Sequence, residues 1–130
     1  MRRIALALSL GLALGLGACR SDSTAPAGSV VGSYQLQRIN GNPLPYTFSG
    51  GSTITADRFT LNVDGSYTDV VTYSNGSVST ERGQYTANNG DISFSYLDTV
   101  QNRYITYQGS VSGPVLTTFV NTYTSVYQKI

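Results

Sequence analysis

Apolar and polar residues alternate with a period of two along much of the chain after Val30. In the stretch FTLNV, Phe59, Leu61 and Val63 fall on one face. In SYTDVVTY one face collects Tyr67, Asp69, Val71 and Tyr73. Successive side chains of a strand point to opposite faces of a sheet. The pattern therefore predicts strands that bury one face and expose the other.

Turn-forming residues recur about every ten residues between these runs, a spacing typical of all-β domains. Asp64-Gly65 is the strongest hairpin signal, because a tight primed turn needs positive φ and this dipeptide accepts it. Eight strands are predicted, with boundaries at about 31–39, 53–63, 66–73, 78–87, 91–97, 103–112, 115–120 and 124–129. No run of eleven or more residues after the N-terminal segment has a helical apolar stripe.

Every predicted connection is short, so strands that follow one another in sequence should be antiparallel neighbours in space. Eight such strands form a meander, and closing the meander removes its two exposed edges. We therefore expect an all-β fold, an eight-stranded antiparallel up-and-down barrel. A two-sheet sandwich of the same strands is the alternative.

The first 18 residues have the pattern of a secretory signal peptide. Arg2 and Arg3 precede an apolar run over residues 4–16, and small residues follow it. A membrane-spanning helix needs roughly 20 apolar residues, so this run is too short to be one.

Cys19, the only cysteine of the chain, directly follows this segment. The sequence Leu16-Gly17-Ala18-Cys19 resembles a bacterial lipobox, in which the cysteine becomes the first mature residue and carries acyl chains. The resemblance implies a lipid anchor at Cys19, and several acyl chains give stable anchoring. The alternative is an ordinary signal peptide whose cleavage leaves a cysteine.

The lipobox divides the chain into a signal peptide (1–18), a lipidated cysteine with a flexible tether (19–30) and a domain (31–130). In lipoproteins of bacteria with two membranes, Asp directly after the cysteine commonly signals retention at the inner membrane. Arg20 stands there instead. The resemblance therefore favours a lipid-anchored protein of the cell envelope, at the outer rather than the inner membrane.

The composition argues against nucleic-acid binding and against chemistry that depends on histidine. Without Arg2 and Arg3, six of the eight basic residues remain beside seven acidic ones, so the mature chain offers no basic face to nucleic acid. The chain has no histidine, the commonest acid–base group and metal ligand. We expect no catalytic residue, no metal, no cofactor and a monomeric protein.

The start of the domain, VVGSYQLQRINGNPLPYTF, resembles small bacterial lipoproteins with lipocalin-like domains. Gly32-x-Tyr34 is similar to the Gly-x-Trp motif on the first strand of lipocalins. The resemblance implies a lipocalin-like barrel in which a basic residue of the last strand, here Lys129, packs over the first-strand aromatic ring. An eight-stranded barrel is just wide enough to be filled by its own side chains or to hold one small ligand.

The acidic residues are scattered singly along the domain, and we expect them on outer faces and in turns. Apart from Asp64 of the Asp64-Gly65 turn, they are Asp57, Asp69, Glu81, Asp91 and Asp98. If the face that carries Asp69 is interior, this carboxylate needs a partner such as Arg58 or Arg82. Such a pair is either a structural ion pair or a polar anchor in a pocket. The remaining alternative is that two carboxylates meet across a barrel mouth and act as a hydrolase.

The leading functional hypothesis is a non-enzymatic envelope lipoprotein whose barrel binds a small apolar or amphipathic molecule at one end. The candidate ligand-binding residues are Tyr34, Tyr67, Asp69, Tyr73, Tyr85, Tyr96 and Tyr127. The alternative is a structural or interaction module with a side-chain-filled barrel. Its prime surface would be the segment NPLPYTF (42–48), unless this segment closes one barrel end as a lid.

The lipobox predicts that Cys19→Ser moves the protein out of the membrane fraction, because the variant lacks the thiol that carries the acyl chains. Fractionation of cells that express the full chain, followed by immunoblotting, measures the distribution. Ser21→Ala, two residues away, is the matched control and should remain with the membranes. Retention of the Cys19→Ser variant in the membrane fraction would rule out acylation as the anchor.

Overall fold

Ten strands follow one another in a computed structural model that describes residues 30–130. They are β1 (Gly32–Ile39), β2 (Asn42–Pro43), β3 (Tyr46–Thr47), β4 (Thr53–Leu61), β5 (Ser66–Tyr73), β6 (Val78–Asn88), β7 (Asp91–Asp98), β8 (Arg103–Ser112), β9 (Val115–Val120) and β10 (Tyr123–Lys129). The predicted signal peptide, Cys19 and the tether up to residue 29 lie outside the described residues.

Eight of these strands close into a barrel, and every pairing between them is antiparallel. The strands from β4 to β10 pair in sequence order, while β1 pairs with β10 on one side and with β4 on the other. The predicted up-and-down barrel is therefore confirmed, and the sandwich alternative is wrong. The two short strands, β2 and β3, were not predicted and lie outside the barrel wall.

The strand boundaries follow the turn signals closely, with one correction. The sequence pattern extends the second predicted strand to Val63, but β4 ends at Leu61. Asn62 donates its N–H to the carbonyl of Ser66, and Gly65 (φ +82°) donates its N–H to the carbonyl of Asn62. Val63 therefore stands in the turn and is 77% exposed instead of sharing the interior face.

The two ends of the barrel differ in packing. At the closed end, where the β4–β5, β6–β7 and β8–β9 turns lie, large side chains fill the interior. The buried core includes Tyr34, Leu61, Tyr85, Ile92 and Leu116. Gly83 and Gly109 let this core pack tightly, since a Cβ there would collide with the ring of Tyr67 or of Phe94. The opposite, open end carries the other hairpin tips and residues 40–52.

The first and last strands meet over Tyr34 as the resemblance implied. The Nζ of Lys129 lies 5.5 Å from the centre of the Tyr34 ring, within the range of a cation–π contact. The Tyr34 hydroxyl donates to the carbonyl of Val30 at 2.6 Å. Gly32 makes room for the lysine stem, because a Cβ at this position would lie 2.5 Å from Cε of Lys129.

Residues 40–52, here called the lid, connect β1 to β4 across the open end. The lid pairs with the barrel through β2 on β1 and β3 on β4. Its apolar side chains Leu44, Tyr46 and Phe48 pack against the core. The Phe48 ring lies edge-on to Tyr123 of β10 at 4.9 Å between ring centres. This placement matches the lid alternative for the NPLPYTF segment.

Candidate functional site

A cavity of about 200 Å³ lies inside the barrel under the lid. Its wall combines apolar, aromatic and a few polar side chains: Ile39, Phe48, Ile54, Asp57, Phe59, Asp69, Val71, Tyr107, Thr118, Val120, Tyr123, Ser125 and Tyr127. The cavity is smaller than the roughly 300–1,000 Å³ typical of sites for drug-sized ligands. It is larger than a cavity of about 150 Å³ that accepts benzene.

An aromatic layer separates the cavity from the packed closed end. Phe59 stacks on Tyr67 at 5.1 Å and meets Phe94 edge-on at 5.2 Å. Tyr107 in turn stacks on Phe94 at 4.9 Å. Rings at these separations contribute about 0.5–1.5 kcal/mol per pair beyond the burial of their area. The layer therefore fixes the depth of the cavity.

Two carboxyl groups meet in the wall of this cavity. The β4–β5 register places Asp69 opposite Phe59 and Val71 opposite Asp57, so that Asp57 and Asp69 are diagonal neighbours on the interior face. The two groups lie within hydrogen-bonding reach of each other. An ionised carboxylate has no hydrogen to donate, so this contact is favourable only when a proton lies between them.

The carboxyl pair has few other partners. The Tyr127 hydroxyl donates to Oδ2 of Asp57 at 2.9 Å. Oδ1 of Asp57 and Oδ1 of Asp69 are both shielded from solvent, and neither accepts a hydrogen bond from a hydroxyl or N–H group of residues 30–130. The side chain of Asp57 is only 5% exposed. Each Oδ1 atom is therefore free to accept a proton or an added donor.

The arginines proposed as partners of Asp69 are placed elsewhere. Arg58 and Arg82 are exposed on the outer face of the barrel, because each alternates with an inward-facing neighbour on its strand. The prediction that the acidic residues lie on outer faces and in turns is wrong for Asp57, Asp69 and the half-buried Glu81. It holds for Asp91, which is exposed.

Glu81 extends the acidic character of the interior. It stands opposite Asp69 in the β5–β6 register. Its Oε1 accepts hydrogen bonds from the hydroxyl of Tyr67 at 2.6 Å and from that of Tyr107 at 3.1 Å. The two tyrosines thus orient this carboxylate beside the Asp57–Asp69 pair.

Comparison with known proteins agrees with this architecture. The family model for the lipocalin-like domain matches residues 30–127, which is most of the chain. The chain belongs to the lipocalin-like family. A similar solved structure is the crystal structure of a lipocalin-like protein from Bacteroides uniformis, with a TM-score of 0.53 and 17% sequence identity. The match covers 79% of this chain and 100% of the other, and it concerns the fold alone.

No match arises among curated protein sequences. Within residues 30–130 of this lipocalin-like protein, no helix is long and apolar enough to cross a membrane. The same residues contain no group of three acidic or cysteine side chains close enough to hold a metal ion.

Burial changes the acidity of the site. Loss of water, followed by the contact with Asp57 and the charge of Glu81, raises the pKa of Asp69 to about 10. Burial also raises the pKa of Asp57, and its hydrogen bonds to Asp69 and Tyr127 offset part of this effect. The pKa of Tyr127 is raised well above its usual value, first by burial and then by Asp57. The pair therefore retains a proton at neutral pH.

The lipocalin-like barrel distributes the seven candidate ligand-binding residues over three places. Asp69 and Tyr127 line the cavity. Tyr34, Tyr67 and Tyr85 are buried in the packed part of the barrel. The partly buried Tyr73 and Tyr96 pack against the core and do not line the cavity. That these side chains touch a ligand stays a prediction.

Two residues of the cavity wall, Asp57 and Tyr107, are absent from the candidate ligand-binding residues predicted from the sequence. The signal for Asp57 was present, because the alternation through Phe59 and Leu61, continued one step back, places Asp57 on the interior face. The Asp64-Gly65 turn then fixes the β4–β5 register that brings it beside Asp69. Tyr107 faces inward opposite Phe94, a register set by the β7–β8 turn.

The raised pKa values of Asp57 and Asp69 predict that the folded protein loses stability as pH rises from about 4 towards 10. The native state binds more protons than the unfolded state in this window, so the free energy of unfolding falls by up to about 1.4 kcal/mol per pH unit for each extra proton. Urea unfolding between pH 5 and 8.5 measures the slope. Asp69→Asn should flatten the slope, because the asparagine amide keeps its N–H groups at every pH in this range and position 69 no longer titrates.

Asp91→Asn is the matched control, since Asp91 is an exposed aspartate at the start of strand β7. It should reproduce the pH dependence of the unsubstituted protein. Parallel curves for the unsubstituted protein and Asp69→Asn would show that Asp69 keeps no proton in the fold.

Proposed function

We propose that this chain is a non-enzymatic, lipid-anchored protein of the cell envelope whose barrel binds one small apolar or amphipathic molecule under the lid. The observation that carries the proposal is the cavity of about 200 Å³ at the open end. A barrel that served only as a scaffold would gain stability by filling this volume, because interior voids are destabilising.

The wall of the cavity supports a ligand with an apolar body. Apolar side chains approach from β1, β4, β5 and β9, and Phe48 of the lid covers them. Polar groups are concentrated where the Asp57–Asp69 pair and Tyr127 lie. This combination of an apolar wall with a few convergent polar groups is typical of small-molecule sites.

Anchoring at the membrane rests on the sequence of the N-terminal segment. The lipobox-like sequence that ends at Cys19 and the tether of small polar residues would keep the barrel close to a membrane surface. Arg20 after the cysteine favours the outer membrane. The described chain begins at the closed end, so the lid would face away from the attachment point of the tether.

A protein-interaction function is the second candidate, and exposed apolar side chains at the open end favour it. Leu97, Val100 and Tyr104 stand on the β7–β8 hairpin, and Val100 is 93% exposed. If the purified protein binds no ligand in the cavity, the protein-interaction function, with a partner that covers this hairpin, becomes the better explanation.

Filling the cavity tests the ligand-binding proposal. Val71→Trp places a large ring in the cavity wall and should abolish binding of indole, a small apolar probe. Val70→Trp is the matched control, because Val70 is the next residue on β5 and faces the outside of the barrel. Calorimetry with indole and native mass spectrometry of purified residues 20–130 measure occupancy. Equal indole binding by both variants would place the ligand outside the cavity.

A further inference from the structure

Two oxygen atoms of the carboxyl pair, Oδ1 of Asp57 and Oδ1 of Asp69, are shielded from solvent and have no partner group among residues 30–130. Oδ1 of Asp57 accepts no hydrogen bond from the described chain, although the Asp57 side chain is 95% buried and forms part of the cavity wall. We propose that the cavity binds a small organic amine, with the ammonium group between Asp57 and Asp69 and the apolar part beneath the lid. This inference rests on the proposed ligand-binding function and specifies its ligand class.

Charge complementarity favours a cation over other ligands. None of the residues that line the cavity is Lys or Arg. Three carboxyl groups, from Asp57 on β4, Asp69 on β5 and Glu81 on β6, face the same part of the interior. The hydroxyls of Tyr67, Tyr107 and Tyr127, from β5, β8 and β10, donate to these carboxyl groups, and Tyr123 of β10 lines the same cavity. An anionic ligand would meet only negative charge there.

An ammonium group also matches the donor requirements of the site. It carries three N–H donors and no acceptor. Two of them can be received by Oδ1 of Asp57 and Oδ1 of Asp69, and the hydroxyl groups of Thr118 and Ser125 lie in the same wall. The rings of Phe59 and Tyr107 add aromatic faces, which attract cations. A bare metal ion would need a denser group of ligands than residues 30–130 provide.

The size of the cavity limits the apolar part of the amine. A volume of about 200 Å³ exceeds the roughly 150 Å³ that holds one benzene ring. Ile39, Ile54, Val71 and Val120 would contact this part, and Phe48 would cover it. A single aromatic ring or a short alkyl chain on the amine fits these limits, whereas an acyl chain of membrane-lipid length does not.

Proton balance gives the proposal a distinctive signature. In the empty protein a proton lies between Asp57 and Asp69. When an ammonium ion enters, this proton leaves to water and the ammonium takes its place. Binding should therefore release protons and become tighter as pH rises from 6 to 8.5, while the amine itself stays charged. A neutral ligand of the same shape gives neither effect.

The test compares three probes of similar shape on purified residues 20–130: phenethylamine, 2-phenylethanol and phenylacetate. We expect phenethylamine to bind at least about tenfold more tightly than the alcohol at pH 8.5, because charge-assisted hydrogen bonds are the stronger ones. Calorimetry in buffers of different ionisation enthalpy should show proton release for the amine only. Phenylacetate should bind most weakly.

Substitutions identify the groups responsible. Asp57→Asn and Asp69→Asn should each weaken phenethylamine binding at least about tenfold and leave 2-phenylethanol binding within about twofold. Both replace a buried acid by an amide of the same shape, and Asp91→Asn serves as the exposed control. Using two variants keeps the test valid if one of them unfolds.

The possible outcomes distinguish failure of the amine inference from failure of the proposed ligand-binding function. If the alcohol binds as tightly as the amine, or the aspartate variants keep full amine affinity, the amine inference is wrong and ligand binding stands. If no probe binds, both the inference and the proposed ligand-binding function are wrong. Tight amine binding with proton release that both aspartate variants lose would establish the site.

Discussion

A carboxyl group that loses its water and gains no cation holds its proton more tightly, and this barrel places two such groups in contact. Asp57 and Asp69 meet on the interior face of adjacent strands, where Tyr127 donates to one of them and Glu81 adds a further negative charge. Ionising both would place like charges side by side in a shielded space, which is costly. The shared proton is therefore the condition under which the empty interior is stable.

The rest of the barrel places this carboxyl pair between the packed closed end and the cavity. On one side, the aromatic rings around Phe59 and Phe94 separate the pair from the filled closed end of the barrel. On the other side, the cavity reaches the lid, where Phe48 rests against Tyr123. The register of the β4–β5 hairpin, set by its tight turn, decides which acidic residues enter this boundary. The β4–β5 register thus determines both how the interior packs and which carboxyl groups have raised pKa values.

Much of the fold follows from the sequence, because its signals are local. Period-two alternation and tight turns such as Asp64-Gly65 define the eight barrel strands, and short connections leave closure as the way to remove edges. The irregular features were missed for a physical reason. The β4 strand carries a bulge between Ile54 and Ala56, which shifts the phase of alternation within one strand. The pairing of the lid likewise depends on tertiary contacts.

The candidate site was only partly predictable. Asp69 could be placed on an apolar face from its neighbours Tyr67 and Val71, but the identity of its partner depends on register across two strands. Charge attraction favours an arginine as the partner of Asp69, and Arg58 and Arg82 lie on the predicted strands that flank it. The structure instead turns both outward and brings Asp57 inward, since alternation outweighs charge attraction in deciding which face a residue takes.

Carbon-13 NMR of the side-chain carboxyl groups tests the shared proton most directly. The resonances of Asp57 and Asp69, assigned with the two Asp→Asn variants, are followed against pH in ligand-free protein. We expect the Asp69 carboxyl to remain protonated at pH 7 and to titrate far above the ordinary aspartate value of about 3.9. Ordinary titration of both groups near pH 4 would contradict it.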